Sequence, residues 1–139
     1  MLGKYNHTVD PKGRLFVPAR LREKLGESFY VSISLTDKCL NLYTEQAWEV
    51  LMEKYKALPV QHQTIFRYVF AHTYRVEPDK QGRFLLPQDL REYAELQSEV
   101  SIIGHGDHAE IWDTDRFEEK EKEELSPEKL AQFVMELNF

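Results

Sequence analysis

The sequence predicts an α+β protein in which two pseudo-symmetric halves form one barrel-like β body with helices outside it. First, the segment from Asp10 to Glu23 recurs from Asp79 to Glu92 at a constant offset of 69 residues. Second, short apolar runs typical of strands alternate with segments whose apolar residues follow helical spacing. Third, each half contains about 60 to 70 residues, a size at which a lone module is marginally stable. We therefore expect the halves to share one core.

The repeat extends well beyond this segment, because aromatic and aliphatic residues correspond across most of each half. The matching pairs are Tyr5 with Tyr74, Val31 with Val100, Ile33 with Ile102, Leu42 with Ile111, Tyr43 with Trp112, and Trp48 with Phe117. The frame needs no gap, which predicts the same order of elements in both halves. Two copies are typical of a closed pseudo-symmetric unit rather than of a solenoid.

Each repeat begins with a predicted turn, strand and short helix. Asp10 can bond the backbone that follows it, and Gly13 can adopt a positive φ without a steric penalty. A short apolar strand follows, and Pro18 then ends the pairing and suits the first turn of a helix over 19–26. The same residues recur as Asp79, Gly82 and Pro87.

The remaining elements follow from apolar spacing. Strands are predicted at 5–9, 15–17, 29–34, 39–43, 73–77, 84–86, 100–103 and 109–112. A helix begins at Glu45 with an apolar stripe of Trp48, Leu51, Met52 and Tyr55. Helical spacing resumes from Gln61 to His72. The predicted organisation is a first module at 1–57, a connecting helical segment at 58–72, a second module at 73–120, and an acidic stretch with a C-terminal amphipathic helix at 121–139.

The C-terminal helix poses a packing question. Ser126 and Pro127 form a helix start, and Leu130, Phe133, Val134 and Leu137 form an apolar stripe after it. The stripe must be buried on the chain's own body or on a neighbouring subunit. The sequence leaves both options open.

Charge is distributed unevenly along the chain. The net charge is −6, but residues 107–139 alone hold eleven acidic and four basic residues. The first motif, residues 10–24, has five bases and two acids, whereas residues 79–93 have three of each. The sequence therefore predicts a local basic patch in which Lys12, Arg14, Arg20 and Arg22 lie together.

Several kinds of chemistry find little support. No run approaches the ~20 apolar residues of a membrane span, and no secretory signal pattern opens the chain, so we expect the protein to remain inside the cell. The lone Cys39 lies in a strand-like run and is expected to be a buried structural residue. The run His105-Gly106-Asp107-His108 lies on a predicted hairpin turn without further ligands, which disfavours a metal site. We predict no enzyme activity, no cofactor and no small-molecule substrate.

Two interpretations of the arginine-bearing turns stay open on the residues alone. Asp10 and Arg14 can pair across the turn and stiffen it. Alternatively, the exposed strand-turn-strand can enter a duplex major groove, where arginine binds guanine bidentately. The two roles are compatible, because Asp10 can orient Arg14 for contact with DNA.

The repeated Asp-x-x-x-Arg element within a strand-turn-strand-helix unit resembles the MraZ family of bacterial transcriptional regulators. The resemblance covers roughly residues 1 to 120 and includes Gly3 to Arg14, Asp79 to Arg83, Val100 to Gly104, and Glu110 to Trp112. It implies two tandem AbrB-like swapped-hairpin half-barrels. It also implies a cytoplasmic, nucleoid-associated, ring-shaped homo-oligomer. Such a protein binds short direct repeats of double-stranded DNA upstream of its own division and cell-wall operon and represses that operon.

Carried over to this sequence, the resemblance gives a set of site residues. Lys12, Arg14, Arg20, Arg22, Lys80 and Arg83 are expected to contact DNA, while Asp10 and Asp79 orient and Gly13 and Gly82 permit the turns. The copies differ, since Asp89 occupies the position of Arg20 and Gln81 that of Lys12. The alternative is an antitoxin-like protein-interaction module that binds a partner through the acidic C-terminal region and the stripe containing Phe133 and Leu137.

Overall fold

A computed structural model describes all 139 residues and confirms the α+β class. The strands are β1 (Lys4–Thr8), β2 (Arg14–Phe16), β3 (Phe29–Ile33), β4 (Leu40–Thr44), β5 (Thr73–Val76), β6 (Arg83–Leu85), β7 (Glu99–His105) and β8 (His108–Asp113). The helices are α1 (Ala19–Leu25), α2 (Glu45–Lys56), α3 (Val60–Gln63), α4 (Phe66–Ala71), α5 (Gln88–Tyr93), α6 (Thr114–Glu124) and α7 (Pro127–Leu137).

The two halves exchange their outer strands. Six antiparallel strands form one sheet in the order β1-β7-β8-β4-β3-β5, and β2 pairs with β6 in a separate two-stranded ribbon. Strand β1 of the first half therefore pairs with β7 of the second, and β5 of the second half pairs with β3 of the first. One continuous core contains buried side chains from both halves. Each half therefore relies on the other for the pairing of one strand and for part of its core.

Two strand pairs define the pseudo-symmetry of the body. In the ribbon, Leu15 pairs with Phe84, and at the centre of the sheet Asn41 pairs with Glu110. In each pair the partners are 69 residues apart, so each residue faces its own repeat counterpart. A pseudo-two-fold axis therefore passes through the middle of the ribbon and the middle of the sheet.

The constant offset of 69 residues between the repeats does not hold in one strand, β7. Val31 pairs with Leu42 and Tyr74, whereas Ile102 pairs with Ile111 and Tyr5. The structural counterpart of Val31 is thus Ile102 rather than Val100. The connection before β7 is two residues longer than that before β3, and the separation from Ile102 to Ile111 is two residues shorter than that from Val31 to Leu42. Because side chains alternate with a period of two, the shift keeps the same faces inward and leaves the apolar match intact.

Aromatic packing joins the connecting helices to the sheet. Trp48 of α2 stacks on Tyr30 of β3 with ring centroids 4.9 Å apart, and Tyr55 contacts Phe66 and Phe70 at 4.9 and 5.0 Å. The predicted core-facing stripe of α2 is therefore confirmed. The helix predicted over 61–72 is instead divided into α3 and α4. None of the helices is both long enough and apolar enough to span a membrane.

The two faces of the ribbon provide a test of the shared core. Leu15 is 0% exposed, whereas Leu85 is 62% exposed on the opposite face. We predict that Leu15→Ala lowers the free energy of unfolding by about 2–5 kcal/mol, because it removes buried methyl groups and leaves a cavity. The matched control, Leu85→Ala, should change it by no more than about 0.5 kcal/mol. Urea denaturation of the two variants and the parent measures both values, and equal losses would contradict the assignment of faces.

Candidate nucleic-acid interface

The first turn is organised by the carboxylate of Asp10. Its Oδ1 accepts hydrogen bonds from the backbone N–H groups of Lys12 at 2.9 Å and Arg14 at 2.8 Å. Its Oδ2 accepts from Nε of Arg14 at 2.7 Å. Gly13 closes the turn at φ +81°, in the left-handed region that favours glycine. The backbone N–H of Arg14 is the main reason that the pKa of Asp10 lies below its ordinary value.

The second turn repeats this geometry. Asp79 Oδ1 accepts from the backbone N–H groups of Gln81 at 2.9 Å and Arg83 at 3.0 Å, and Gly82 also has φ +81°. Nε of Arg83 lies 3.3 Å from Asp79 Oδ2. The backbone bond from Arg83 again lowers the pKa of the carboxyl. Each turn therefore holds an ionised aspartate against an arginine.

The ion pair with Asp10 leaves the terminal nitrogens of Arg14 available to donate hydrogen bonds. Arg14 binds Asp10 through Nε, and its terminal nitrogens Nη1 and Nη2 donate no hydrogen bond within the chain. About a third of its side chain is exposed. These terminal donors are the ones that match the two acceptors on the major-groove edge of guanine. The structural and DNA-contacting roles of Arg14 are therefore compatible in this geometry.

The ribbon presents both arginines on one outward face. Leu15 and Phe84 point into the core, so the flanking pairs Arg14–Leu85 and Phe16–Arg83 lie on the opposite side. The bonds from Val17 N–H to Gly82 O and from Leu86 N–H to Gly13 O extend the pairing at each end. The two turns are consequently separated by about 14 Å, or four residue steps along the strand. A two-stranded ribbon fits the major groove, which is about 12 Å wide.

The predicted clustering of Lys12, Arg14, Arg20 and Arg22 is wrong. A Cβ at Gly82 would lie 2.8 Å from the guanidinium of Arg22, whereas a Cβ at Gly13 would lie 3.3 Å from that of Arg91. The side chain of Arg22 in α1 therefore covers the second turn, and that of Arg91 in α5 covers the first. The antiparallel ribbon causes this exchange, because each strand leads its following helix to the other strand's turn.

The exchange moves the basic patch to the second turn. At one end, residues 19–25 of α1 and 79–83 of the second turn together hold five bases, Arg20, Arg22, Lys24, Lys80 and Arg83, against the two acids Glu23 and Asp79. Arg75, Glu27 and Glu77 line the cleft beside them. The other end, with α5 and the first turn, has three bases and three acids. Asp89, which replaces Arg20 there, is held by His72 at 2.7 Å and by Tyr74 at 2.8 Å. The two ends are thus alike in backbone and different in potential.

The six predicted DNA contacts differ in accessibility. Lys12, Arg20 and Lys80 are exposed and form no ion pair within the chain, while Arg14 and Arg83 are half-buried beside their aspartates. Arg22 is more enclosed, since its guanidinium lies 5.3 Å from the ring centre of Phe16 and its Nε is buried without an acceptor. The structure brings Arg20, Arg22, Lys80 and Arg83 to one end and leaves Lys12 and Arg14 at the other.

Sequence reasoning missed three residues of this surface. Arg91 covers the first turn and donates from Nε to the carbonyl of Leu86 at 3.0 Å. The repeat offset identifies it as the counterpart of Arg22, so this signal was present in the sequence. Phe16 and Leu85 contribute apolar surface between the arginines. Strand alternation places both on the outward face.

Cys39 and His108 lie in surroundings that disfavour nucleophilic catalysis and metal binding. Cys39 is fully buried, and burial raises the pKa of its thiol to about 12, which disfavours a nucleophilic thiolate. His108 lies 3.8 Å from Glu110 and 2.8 Å from Asp107. The carboxylate of Glu110, followed by that of Asp107, raises the pKa of His108. Protonation competes with metal binding, so this shift disfavours His108 as a metal ligand.

Comparison with known proteins identifies one family. A family model described as MraZ protein, of antitoxin-like type, matches residues 1–65 and 69–134. These two ranges correspond closely to the two repeats.

Individual relatives agree with this match. A protein named transcriptional regulator MraZ from Carboxydothermus hydrogenoformans is 51% identical over 114 residues, covering 80% of this chain and 79% of the relative. A protein of the same name from Caldicellulosiruptor saccharolyticus is 46% identical and covers 99% of this chain and 98% of the relative. A third, from Clostridium tetani, is 37% identical over 98% of this chain and 97% of the relative. The similarity thus extends over nearly the whole chain.

The ionised turns make stability depend on pH. A carboxyl whose pKa is lowered on folding stabilises the fold fully above its ordinary pKa of about 4, and this contribution is lost as the pH falls through the lowered value. We predict that Asp10→Asn, which keeps the Oδ1 acceptor and removes the charge, lowers the thermal midpoint at neutral pH. The difference from the parent should shrink as the pH falls toward about 3.

The control for this prediction is the same substitution in an Arg14→Ala background. There the charge of Asp10 has no guanidinium partner, so the pH-dependent part of the difference should be smaller. Circular dichroism melts of the four proteins across the pH range provide the measurement. A difference between parent and Asp10→Asn that is constant from neutral to acid pH would show that the ion pair does not stabilise the turn.

Proposed function

This chain belongs to the MraZ family, and from that membership we propose that it regulates transcription by binding double-stranded DNA through the β2·β6 ribbon. The observation that carries this proposal is the outward ribbon face, on which Arg14 and Arg83 are each oriented by an aspartate four residues earlier. Ordered arginines lose less conformational freedom on binding than flexible side chains. The relatives named transcriptional regulators support the functional class.

We propose distinct roles for the two parts of this surface. The ribbon reads base edges in the major groove, with Arg14 and Arg83 as the principal donors. The exposed bases Arg20 and Lys80 bind phosphates and fix the position of the ribbon on the duplex. Because one ribbon end is basic and the other is neutral, binding has a preferred direction along the DNA. A preferred direction suits sites arranged as direct repeats.

The target and assembly follow the expectation from the family. The protein binds short direct repeats upstream of its own division and cell-wall operon, represses that operon, and acts as a ring-shaped homo-oligomer at the nucleoid in the cytoplasm. Its halves are AbrB-like swapped-hairpin modules, and the exchange of β1 and β5 between halves supports this assignment.

Oligomerisation explains how a chain with a net charge of −6, which is unfavourable for DNA binding, can still bind tightly. One ribbon offers few phosphate contacts, so a single site binds weakly and loses affinity as salt is raised. Linked copies make later contacts intramolecular, which can raise affinity about 10²–10⁴-fold without new contacts. A duplex with several repeats is therefore expected to bind far more tightly than one with a single repeat.

A second candidate function rests on the antitoxin-like description of the family model and on the uncovered apolar side chains of α7. In that case the same body binds a protein partner through the acidic C-terminal region. Retention on a DNA column at low salt, followed by elution at higher salt, separates the two functions, since a protein-interaction module of net charge −6 should not be retained.

The first DNA prediction concerns the base-reading arginines. Arg14→Ala and Arg83→Ala should each weaken binding to a specific repeat by about 1–3 kcal/mol per engaged site, because each removes a bidentate base contact. Gel-shift titrations on the parent's preferred repeat and on scrambled DNA give the values. Arg67→Ala, a change of an exposed base on α4, is the matched control and should leave specific affinity unchanged. Unchanged affinity in both ribbon variants, with normal melting curves, would remove the ribbon from the interface.

The second DNA prediction concerns the unequal ribbon ends. Arg20→Ala and Lys80→Ala should each weaken binding on specific and scrambled DNA alike and reduce the slope of log affinity against log salt by about one. Lys12→Ala, an exposed lysine at the neutral end, should have a smaller effect. Fluorescence anisotropy at a series of salt concentrations measures the slopes. A slope change for Lys12→Ala as large as that for Lys80→Ala would show that both ends contact phosphates equally.

A further inference from the structure

Helix α7 leaves its apolar stripe uncovered. The stripe residues Leu130, Phe133, Val134 and Leu137 are between 42% and 52% exposed, and no residue of α7 is buried. Its side-chain hydrogen bonds and its aromatic contact remain within residues 126–139. A helix with one apolar face depends on tertiary packing for most of its stability. The stripe therefore requires a partner.

The preceding helix, α6, does not supply that partner. Helix α6 occupies the position that α2 has in the first half, and both begin at equivalent caps, Thr44 and Asp113. In α2, Leu51, Met52 and Tyr55 form the apolar face on which α4 folds back. The equivalent residues of α6, at the offset of 69, are Lys120, Glu121 and Glu124. A charged face offers α7 no apolar surface on which to fold.

An apolar surface without a partner does occur beside the first half. Ile65 and Tyr68 are 52% and 58% exposed, and they share one side of the α4 region because they are three residues apart. Val60 of α3 is also largely exposed. The inward side of the same segment is occupied, since Phe66 and Phe70 contact Tyr55. The outer face of α3 and α4 is thus free to receive another helix.

Charge makes these two surfaces complementary. Residues 54–72 hold Lys54, Lys56, Arg67 and two histidines, with no acidic residue. Lys56 pairs with Glu53 and His72 with Asp89, whereas Lys54 and Arg67 form no ion pair within the chain. Residues 114–139, which form α6 and α7, hold eight acidic and four basic residues. Complementary potentials favour association of these segments and disfavour pairing of two acidic α6–α7 arms.

We propose that α7 of one copy docks on the outer face of α3 and α4 of a second copy of this chain. Leu130, Phe133, Val134 and Leu137 pack against Val60, Ile65 and Tyr68, and the acidic arm faces the basic segment. This inference rests on the homo-oligomer proposed above and identifies the surfaces that join its subunits.

The proposed contact is heterologous, because the two surfaces that meet are different. Each subunit then gives one α7 and receives one, so the contact can repeat from copy to copy. A repeating heterologous contact closes into a ring when its rotation allows closure. Ring closure strengthens such contacts because the last one forms within one assembly.

The test uses two variants of the full chain, each defective in one surface. Phe133→Glu disables α7 and leaves the α3–α4 face intact, while Ile65→Glu does the reverse. Size exclusion with light scattering should show an oligomeric parent and two monomeric variants. An equimolar mixture should form a 1:1 dimer and nothing larger, because only one compatible contact remains. Met135→Glu, on the opposite face of α7 and 82% exposed, is the matched control and should keep the parent's mass.

Other outcomes distinguish a failure of the proposed homo-oligomer from a failure of the proposed docking contact. A monomeric parent would overturn both the homo-oligomer and this inference. An oligomeric parent with an unchanged mass for Phe133→Glu would overturn the inference alone. If Phe133→Glu is monomeric but Ile65→Glu keeps the parent's mass, α7 docks elsewhere and the heterologous contact is wrong. Circular dichroism establishes that each variant is folded, and both monomers should bind a single-repeat duplex as the parent does.

Discussion

The antiparallel pairing of β2 with β6 is the constraint on which the rest of the molecule depends. Leu15 and Phe84 meet at the pseudo-two-fold axis and are buried on one side, which places their neighbours Arg14 and Arg83 on the other. The same two short strands therefore contribute to the core on one face and form the proposed DNA surface on the other. Because β1 and β5 are exchanged as well, the two repeats are joined at both the ribbon and the sheet.

The antiparallel ribbon also determines how the basic residues are distributed between its two ends. Strand β2 carries the chain from the first turn to the end of the ribbon where the second turn lies, and α1 follows there. Basic residues that adjoin in sequence are thus divided between the two ends. Arg20, Arg22 and Lys24 join Lys80 and Arg83, while Lys12 and Arg14 remain at the end that Arg91 of the more acidic α5 covers. A nearly symmetric backbone consequently carries an asymmetric potential.

The same backbone position can also serve different purposes in the two halves. In the first half, the apolar face of α2 lets α4 fold back, and residues 58–72 become part of the body. In the second half, charged residues on α6 leave α7 without an intramolecular partner. Three substitutions, at positions 120, 121 and 124, distinguish a helix that completes its own subunit from one that is free to join another. Symmetry of the fold therefore does not extend to the packing of these helices.

The sequence by itself determined the elements, because turn chemistry, proline positions and apolar periodicity are local properties. It predicted all eight strands, the start of α2 at Glu45 and the Asp10–Arg14 turn. Only the tertiary structure decided which elements meet. The strand exchange, the two-residue shift of β7 and the transfer of α1 to the second turn depend on pairing between residues far apart in the chain. A shift of two residues preserves the alternation of inward and outward side chains along β7, so it leaves no local signal in the sequence. The exchange of strands and helices between the halves leaves none either, because it changes neither the composition nor the spacing of any segment.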